Sequence, residues 1–421
     1  MARGSRSGQT VSNKAQAPSA EVKKLPETTL TGVNASNTKT VLVSAILEVT
    51  GQVRFGDGTD VGLTVTETDM VISPDGNQVQ KLIWAGSKRR GVDRRTIHEL
   101  RDQHWNGGPC YIGGDPQTER GGLCGRCPIC WLYGFTGTTQ GQNINAKSRV
   151  LYASSVSVEE VQEGLNVHSR NQVDEKTQTT AGAAGIHEEQ VIVAGVHFPT
   201  YTALIHVLDW EIGAFAHALL ENVNSNRYTA ASRAQGGMKF AEHDGKLLVI
   251  VDESEQGVFP LTAPKIAGWE TDWQKARKVF QDAMDVQALK ETLKAQGFTV
   301  RDAAEQPDAQ PQPQSNTFQP KSPEQATQPS NELVLEESDG IITVKQGEHV
   351  LMRRYTGMKG LGYLRQKQLA AKQHFMSLQA DEFRKEINIY IAAISPKQKG
   401  VATSAEADED TGSGDDDSAT E

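Results

Sequence analysis

The sequence predicts an α+β fold in which strand, helix, strand, strand, helix and strand follow one another. Three observations carry that prediction: a run after Thr40 that is apolar on both faces, a helix-periodic run from Glu211 to Asn224, and strand-like stretches starting at Lys147, Val196 and Lys246.

Residues 1–36 are rich in Ser, Ala, Thr, Asn and Lys without periodicity and read as a flexible leader. A core over 37–300 follows. Val41, Val43, Ala45 and Leu47 alternate with Leu42, Ser44 and Ile46, so this strand has two covered faces and belongs inside a sheet. The glycine-rich stretch from Arg54 to Asp60 has no Gly-Lys-Ser after it, which argues against a Walker-type phosphate loop. Val79 to Trp84 is a short apolar strand, and Asp93 is the expected N-cap of a helix over Arg94 to Trp105. Lys147 opens the next strand. The polar stretch from Asn166 to His187 is too long for a tight turn and reads as a projecting hairpin. After the strand Val196 to Leu208 comes the helix Glu211 to Asn224, with Ile212, Phe215, Ala216, Leu219, Leu220 and Val223 on one face. A basic, small-residue loop from Asn226 to Lys239 leads to a strand over Lys246 to Asp252. The resulting order is ferredoxin-like, the scaffold of RNA-recognition modules.

Beyond this core, Trp273 to Gln296 reads as one helix. Gln, Pro and Ser dominate a linker over 301–331 that cannot form a core. Pattern returns over 332–395, with a strand pair around Ile341 to Met352 and a helix from Gln366, but without a functional signal. Residues 396–421 hold an acidic run including Asp415, Asp416 and Asp417 and read as a solvated tail.

Composition bounds the function. The chain has 421 residues, is 37% hydrophobic and 23% charged, and carries a formal net charge of -10. The acidic tail contributes to that balance, so the net charge does not exclude a nucleic-acid partner. No apolar run approaches the roughly 20 residues needed to cross a bilayer, and the first residues lack a secretory segment, which predicts a cytoplasmic protein.

All four cysteines of the chain, Cys110, Cys124, Cys127 and Cys130, fall in one short stretch. Two close Cys-x-x-Cys steps and one more distant Cys suit the tetrahedral preference of zinc, and four protein ligands leave no open position for activating water. A structural zinc site in an insertion over about 105–140 is the expectation, with two disulfides or four core thiols as the alternatives. A second cluster, Lys88, Arg89, Arg90, Arg94 and Arg95, gathers around a helix start, where cations oppose the helix dipole unless an anion is bound. Phosphate binding is the expectation there, and an ordinary solvated face is the alternative.

The segment Cys124 to Gly137 resembles the zinc loop of backbone proteins of CRISPR effector complexes, in the RAMP superfamily, and specifically the type I-D Cascade backbone subunits. The basic turn Gly86 to Arg95, the segment Val196-His-Phe-Pro-Thr and the loop Asn226 to Lys239 support the same resemblance, which spans about residues 38–255. It implies an RRM-like palm with a zinc-bearing insertion and a protruding thumb over about 165–190. It also implies several copies stacked along a CRISPR RNA, presenting the guide to target DNA or RNA beside other effector subunits, with no membrane partner. On this resemblance Ser87, Lys88, Arg89, Arg90, Arg94 and Arg95 contact the guide backbone from one side. Arg227, Arg233 and Lys239 hold it from the other, where Gly236 and Gly237 permit close approach. Tyr228 either packs the helix end or stacks on a base, and Ile186 of the thumb is a possible wedge between bases.

Two function classes follow. One is a non-catalytic RNA-binding scaffold. The other is an RNA-cleaving enzyme, because related type III backbone subunits cut target RNA with a loop Asp, and Asp69 lies near that position. An exposed loop Asp is more often a turn former, which favours the scaffold.

Overall fold

The computed structural model describes residues 38–56, 65–103, 110, 122–125, 127–136, 145–171, 176–177, 179, 186–229, 236–255, 261–303, 332–377 and 385. The expected leader, almost all of the expected linker and the acidic tail lie outside them, as does Arg233. The chain is mixed α+β with one large sheet. In order come β1 (Lys39–Val49), β2 (Thr68–Ile72), β3 (Gln78–Trp84), α1 (Gly86–Asp102), α2 (Pro128–Tyr133), β4 (Phe135–Thr136), β5 (Asn145–Ala146), β6 (Val150–Tyr152), β7 (Ser155–Glu160) and α3 (Val161–Gly164). Next are β8 (Leu165–Asn171), β9 (Ile186–Ile192), β10 (His197–Val207), α4 (Asp209–Asn224), β11 (Met238–Phe240), β12 (Glu242–His243), β13 (Lys246–Leu247) and β14 (Val249–Glu255). Last are α5 (Trp273–Ala283), α6 (Val286–Ala295), β15 (Thr299–Asp302), β16 (Glu332–Ser338), β17 (Ile341–Gln346), β18 (His349–Thr356) and α7 (Met358–Ser377).

The large sheet has the order β15-β16-β17-β18-β14-β1-β10-β6, with β11 also on β1. All its pairs are antiparallel except β15 with β16. β1 is central, as its two apolar faces predict. Val41, Val43, Ala45 and Leu47 pack with Ile97 of α1 and with Ile212, Phe215 and Leu219 of α4. Ile46, on the opposite face, packs with Ile250 and with Phe280 of α5. β2, β3 and β7 form a separate three-stranded sheet, and β8 pairs with β9 as the expected hairpin.

Local differences from the sequence reading have physical causes. α1 begins at Gly86 after Ala85, so Asp93 lies in the middle of the helix, buried, and caps nothing. The strand expected over Lys246 to Asp252 divides at Leu248, because β13 turns back on β12 while β14 pairs with β1. The single helix expected over Trp273 to Gln296 divides in two, since Asp285 accepts a hydrogen bond from the Gln287 backbone N–H at 2.7 Å and starts α6.

Residues 332–377 continue the same sheet. β18 joins β14, where Arg354 makes a bidentate pair with Asp252 at 2.7 and 2.8 Å, both side chains buried. α7 covers the outer side of α4, which explains why α4 is buried almost all round. A Cβ at Gly213 would sit 2.2 Å from the Lys367 carbonyl oxygen, so the close approach of these helices needs a glycine there. Lys367 pairs with Asp209 at 2.6 Å, and Gln368 bonds His217 at 3.2 Å.

Candidate metal centre and nucleic-acid interface

α2 begins with Pro128 after Cys127, and this tight start turns Cys127 and Cys130 toward one point. The Sγ atoms of Cys110, Cys124, Cys127 and Cys130 all lie within 4.8 Å of one another. Cys110 and Cys130 approach to 3.4 Å and Cys124 and Cys130 to 4.0 Å, too far for a disulfide bond. Four sulfurs around one zinc at its usual bond length stand about 3.8 Å apart, so these spacings fit a tetrahedral thiolate cage. Cys110, Cys127 and Cys130 are buried and Cys124 is partly exposed. Hydrogen bonds from Cys124, Cys127 and Cys130 hold the Cys110 thiol far below the ordinary range, while the same sharing pushes Cys130 up. These four side chains could hold a metal ion.

The basic cluster of α1 divides between core and surface. Arg89 is buried at 4% exposure, donates to the carbonyls of Ala153 at 2.9 Å and Tyr201 at 3.0 Å, and stands 5.4 Å from the ring centres of Trp84 and Tyr152. Arg94 is equally buried and donates to the Gly134 carbonyl at 3.3 Å. Arg90 donates to Tyr133 O at 2.8 Å, and Lys88 donates to Gly56 O and, at 3.1 Å, to Glu67. The expected role of Arg89 and Arg94 as guide contacts is therefore corrected: their guanidinium groups lie inside the fold and tie α1 to β6, β10 and the end of α2. Ser87 and Arg95 are exposed, and among the described residues Arg95 has no ion pair.

Asp93 organises the space beneath. Its Oδ1 accepts from Tyr228 Oη at 2.6 Å and from Asn222 Nδ2 at 2.8 Å, and its Oδ2 accepts from Tyr152 Oη at 2.6 Å. Burial raises its carboxyl above the usual range, although these three donors and Arg89 pull the other way. Tyr228 thus packs into the core, with its ring edge-on to Trp84 at 5.0 Å. Sequence reasoning missed this carboxylate because its N-cap pattern also fits a helix start.

At the loop after α4, Arg227 pairs with Glu99, and the exposed Lys239 pairs with Glu48 at 3.2 Å. A Cβ on Gly236 would fall 2.3 Å from Gly51 Cα, and one on Gly237 would fall 1.6 Å from Asn226 Oδ1. These glycines let the loop lie against the end of β1 and against its own start, a close approach made within the chain. The hairpin is fastened at its base by the Val53 to Ile192 bridge and by the Arg54 to Glu189 ion pair. Ile186 begins β9. Asp69 lies exposed on β2, and its Oδ1 accepts from the Met70 N–H at 2.8 Å. Among the described residues, the cysteines are the one group of three or more side chains gathered to hold a metal ion. No described helix is long and apolar enough to cross a membrane.

The family model described as Csc2 Crispr matches residues 57–241. No curated protein matches the sequence significantly. Among solved structures, the chain is similar to one from a type IV-B CRISPR complex, at 13% identity and a TM-score of 0.34, covering 56% of this chain and 97% of that one. It is similar to the crystal structure of Thermofilum pendens Csc2, at 16% identity and a TM-score of 0.35, covering 63% and 78%. It is also similar to a chain of a CRISPR RNA-guided surveillance complex, at 12% identity and a TM-score of 0.37, covering 60% and 84%.

Proposed function

We propose that this chain belongs to the Csc2 family and is a crRNA-binding backbone subunit of a cytoplasmic, Cascade-like CRISPR effector complex of type I-D. In this reading several copies stack along one guide RNA, which pairs with target nucleic acid. The observation that carries it is the Csc2 Crispr match over residues 57–241, which takes in α1, the cysteine cluster, the β8-β9 hairpin and the loop after α4. The order β14-β1-β10-β6, with α1 and α4 on one face, supports a ferredoxin-like palm. The hairpin is the thumb, and Ile186 its wedge.

A guide of any sequence must be gripped by phosphate and sugar, leaving base edges free. Ser87, Arg95, Arg227 and Lys239, with Arg233 from the same loop, are the residues proposed for that grip. Arg90, whose partner is a neutral carbonyl, would help at its margin, as would Lys88 on giving up its pair with Glu67. The four cysteines would hold zinc as a structural ion, which joins Cys110 to the α2 segment across the insertion.

The test is purification of the full chain with a CRISPR array and its partner subunits, followed by sequencing of bound RNA. A discrete repeat-derived RNA is expected, and its absence from correctly folded protein overturns the reading. A second reading, target cleavage through Asp69, has in its favour the exposure of that carboxylate on β2. Phosphodiester cleavage also needs charge stabilisation on the leaving oxygen, commonly by a divalent ion. Regularly spaced cuts in a complementary RNA that vanish in Asp69→Ala would establish it, and an intact target in both proteins supports the scaffold.

A further inference from the structure

The second half of α1 turns an unused set of donors toward the insertion. Arg94, His98 and Arg101 follow one another at i, i+4 and i+7, so they share one stripe of the helix. Arg94 Nε and Nη2, both ring nitrogens of His98, and Arg101 Nη1 are shielded from solvent and make no hydrogen bond among the described residues. Buried N–H groups without acceptors are uncommon and costly, and three adjacent side chains in that state call for an acceptor facing them. The cysteine cluster is beside them: α1 packs against α2, which starts after Cys127 and contains Cys130, and Ile97 and Leu100 of α1 share one core cluster with Cys110, Cys127 and Cys130. Asp102 binds Arg101 Nε at 2.8 Å and also Nη2, which fixes the plane of the guanidinium and leaves Nη1 unspent.

Four thiolates around a divalent ion keep a net negative charge, and three of these four cysteines are buried. A buried charge of that kind requires donors from the surrounding shell. We propose that Arg101, with His98 one turn before it, is a positioning residue of the four-thiolate centre, donating to Cys127 and fastening α1 to the metal-bearing segment. The proposal rests on reading the cluster as a metal site.

The experiment uses the full chain purified with zinc. Zinc per chain is measured by elemental analysis, and zinc release to a chromogenic chelator is followed in the wild type, Arg101→Met, Arg101→Lys and His98→Leu. The wild type is expected to hold one zinc per chain, and Arg101→Met to release it about tenfold faster or more. Arg101→Lys should recover part of the difference, because it restores a charged donor without the fork. In cobalt-loaded protein the sulfur-to-metal charge-transfer band should move to longer wavelength in Arg101→Met, since a thiolate that loses a hydrogen bond gives up its electrons more readily. An unchanged release rate and band in folded Arg101→Met overturn the proposal while leaving the metal site standing. A wild type without metal overturns the metal reading itself and this proposal with it. If Arg101→Met does not fold, Arg101→Lys and His98→Leu decide: faster release in either supports the proposal, and wild-type release in both sinks it.

Discussion

Arg89 and Arg95 lie on the same helix, within one basic run, and have opposite surroundings. Arg89 is enclosed by Trp84, Tyr152 and two carbonyl oxygens, whereas Arg95 is exposed. The guanidinium is weakly hydrated and planar, so it can be buried where carbonyls and aromatic faces receive it. The inner flank of α1 therefore uses its arginines to join the helix to the large sheet and to the end of α2, and the outer flank leaves Arg95 and Ser87 exposed. A basic cluster in a sequence is a sum over both flanks, and only part of it can serve as an anion-binding surface.

The largest effects are expected on the inner flank. Asp93→Ala leaves Asn222, Tyr152 and Tyr228 without their acceptor and the buried Arg89 without the opposite charge beside it, and a loss of about 3 kcal/mol in unfolding free energy is expected. Denaturant titration measures it, and a loss below about 1 kcal/mol would mean the network is dispensable. Arg89→Ala should cost about 2 kcal/mol by the same assay, yet leave the RNA affinity of the folded fraction nearly unchanged. A specific loss of RNA binding in stable Arg89→Ala protein would return this residue to the interface.

Lys81 sharpens the contrast, because it is a buried cation that donates to the carbonyl of Glu270 at 2.7 Å and to that of Val158. Burial holds its ammonium down at about 8, from an ordinary 10.5. Below pH 8 the folded and unfolded chains both keep the proton, and the cost of burying the charge is constant. Between pH 8 and 10.5 the folded chain loses it first, so stability rises with pH by about 1 kcal/mol per unit. The wild type measured against Lys81→Met across this window should show that rise.

On the outer flank, Arg95→Ala should change stability by less than about 0.5 kcal/mol. It should weaken binding of unrelated guides alike and lower the salt dependence of affinity by about one counterion. Loss confined to one guide sequence would contradict phosphate gripping. The smallest effect belongs to the surface pair Arg227 and Glu99, whose coupling in a double-mutant cycle should not exceed about 0.5 kcal/mol.

The central strand, the apolar face of α4 and the four-cysteine cluster were legible because each is written locally, as a period or a spacing. Asp93 was not, since Asp before a helical run fits both a cap and a buried acceptor, and the choice depends on Tyr152, Asn222 and Tyr228, far away in sequence. The start of α1 was missed for a related reason: Gly86 and Gly91 lower helix propensity, while packing against β6 and α4 restores it. The place of 332–377 was hidden because pairing between strands far apart in sequence leaves no local signature. The stripe Arg94, His98 and Arg101 was not read from the sequence, because a helical spacing of basic residues has no partner until Cys110 and Cys127 are placed beside it.

The pairing of β18 with β14 joins segments separated by about 100 residues of chain. During synthesis, at about 5 to 20 residues per second, β14 therefore waits roughly 5 to 20 s for its neighbour. An open edge in that interval is a template for strands of other chains. Asp252 and Glu253 stand in the middle of this edge, and charged side chains discourage such pairing. When Arg354 arrives, Asp252 becomes one half of a buried ion pair, so a residue that guards the nascent strand also marks its correct completion. A chain ending at Asn331 would keep that edge open for its lifetime, and self-association of the truncated protein on the ribosome or after release is the expected result.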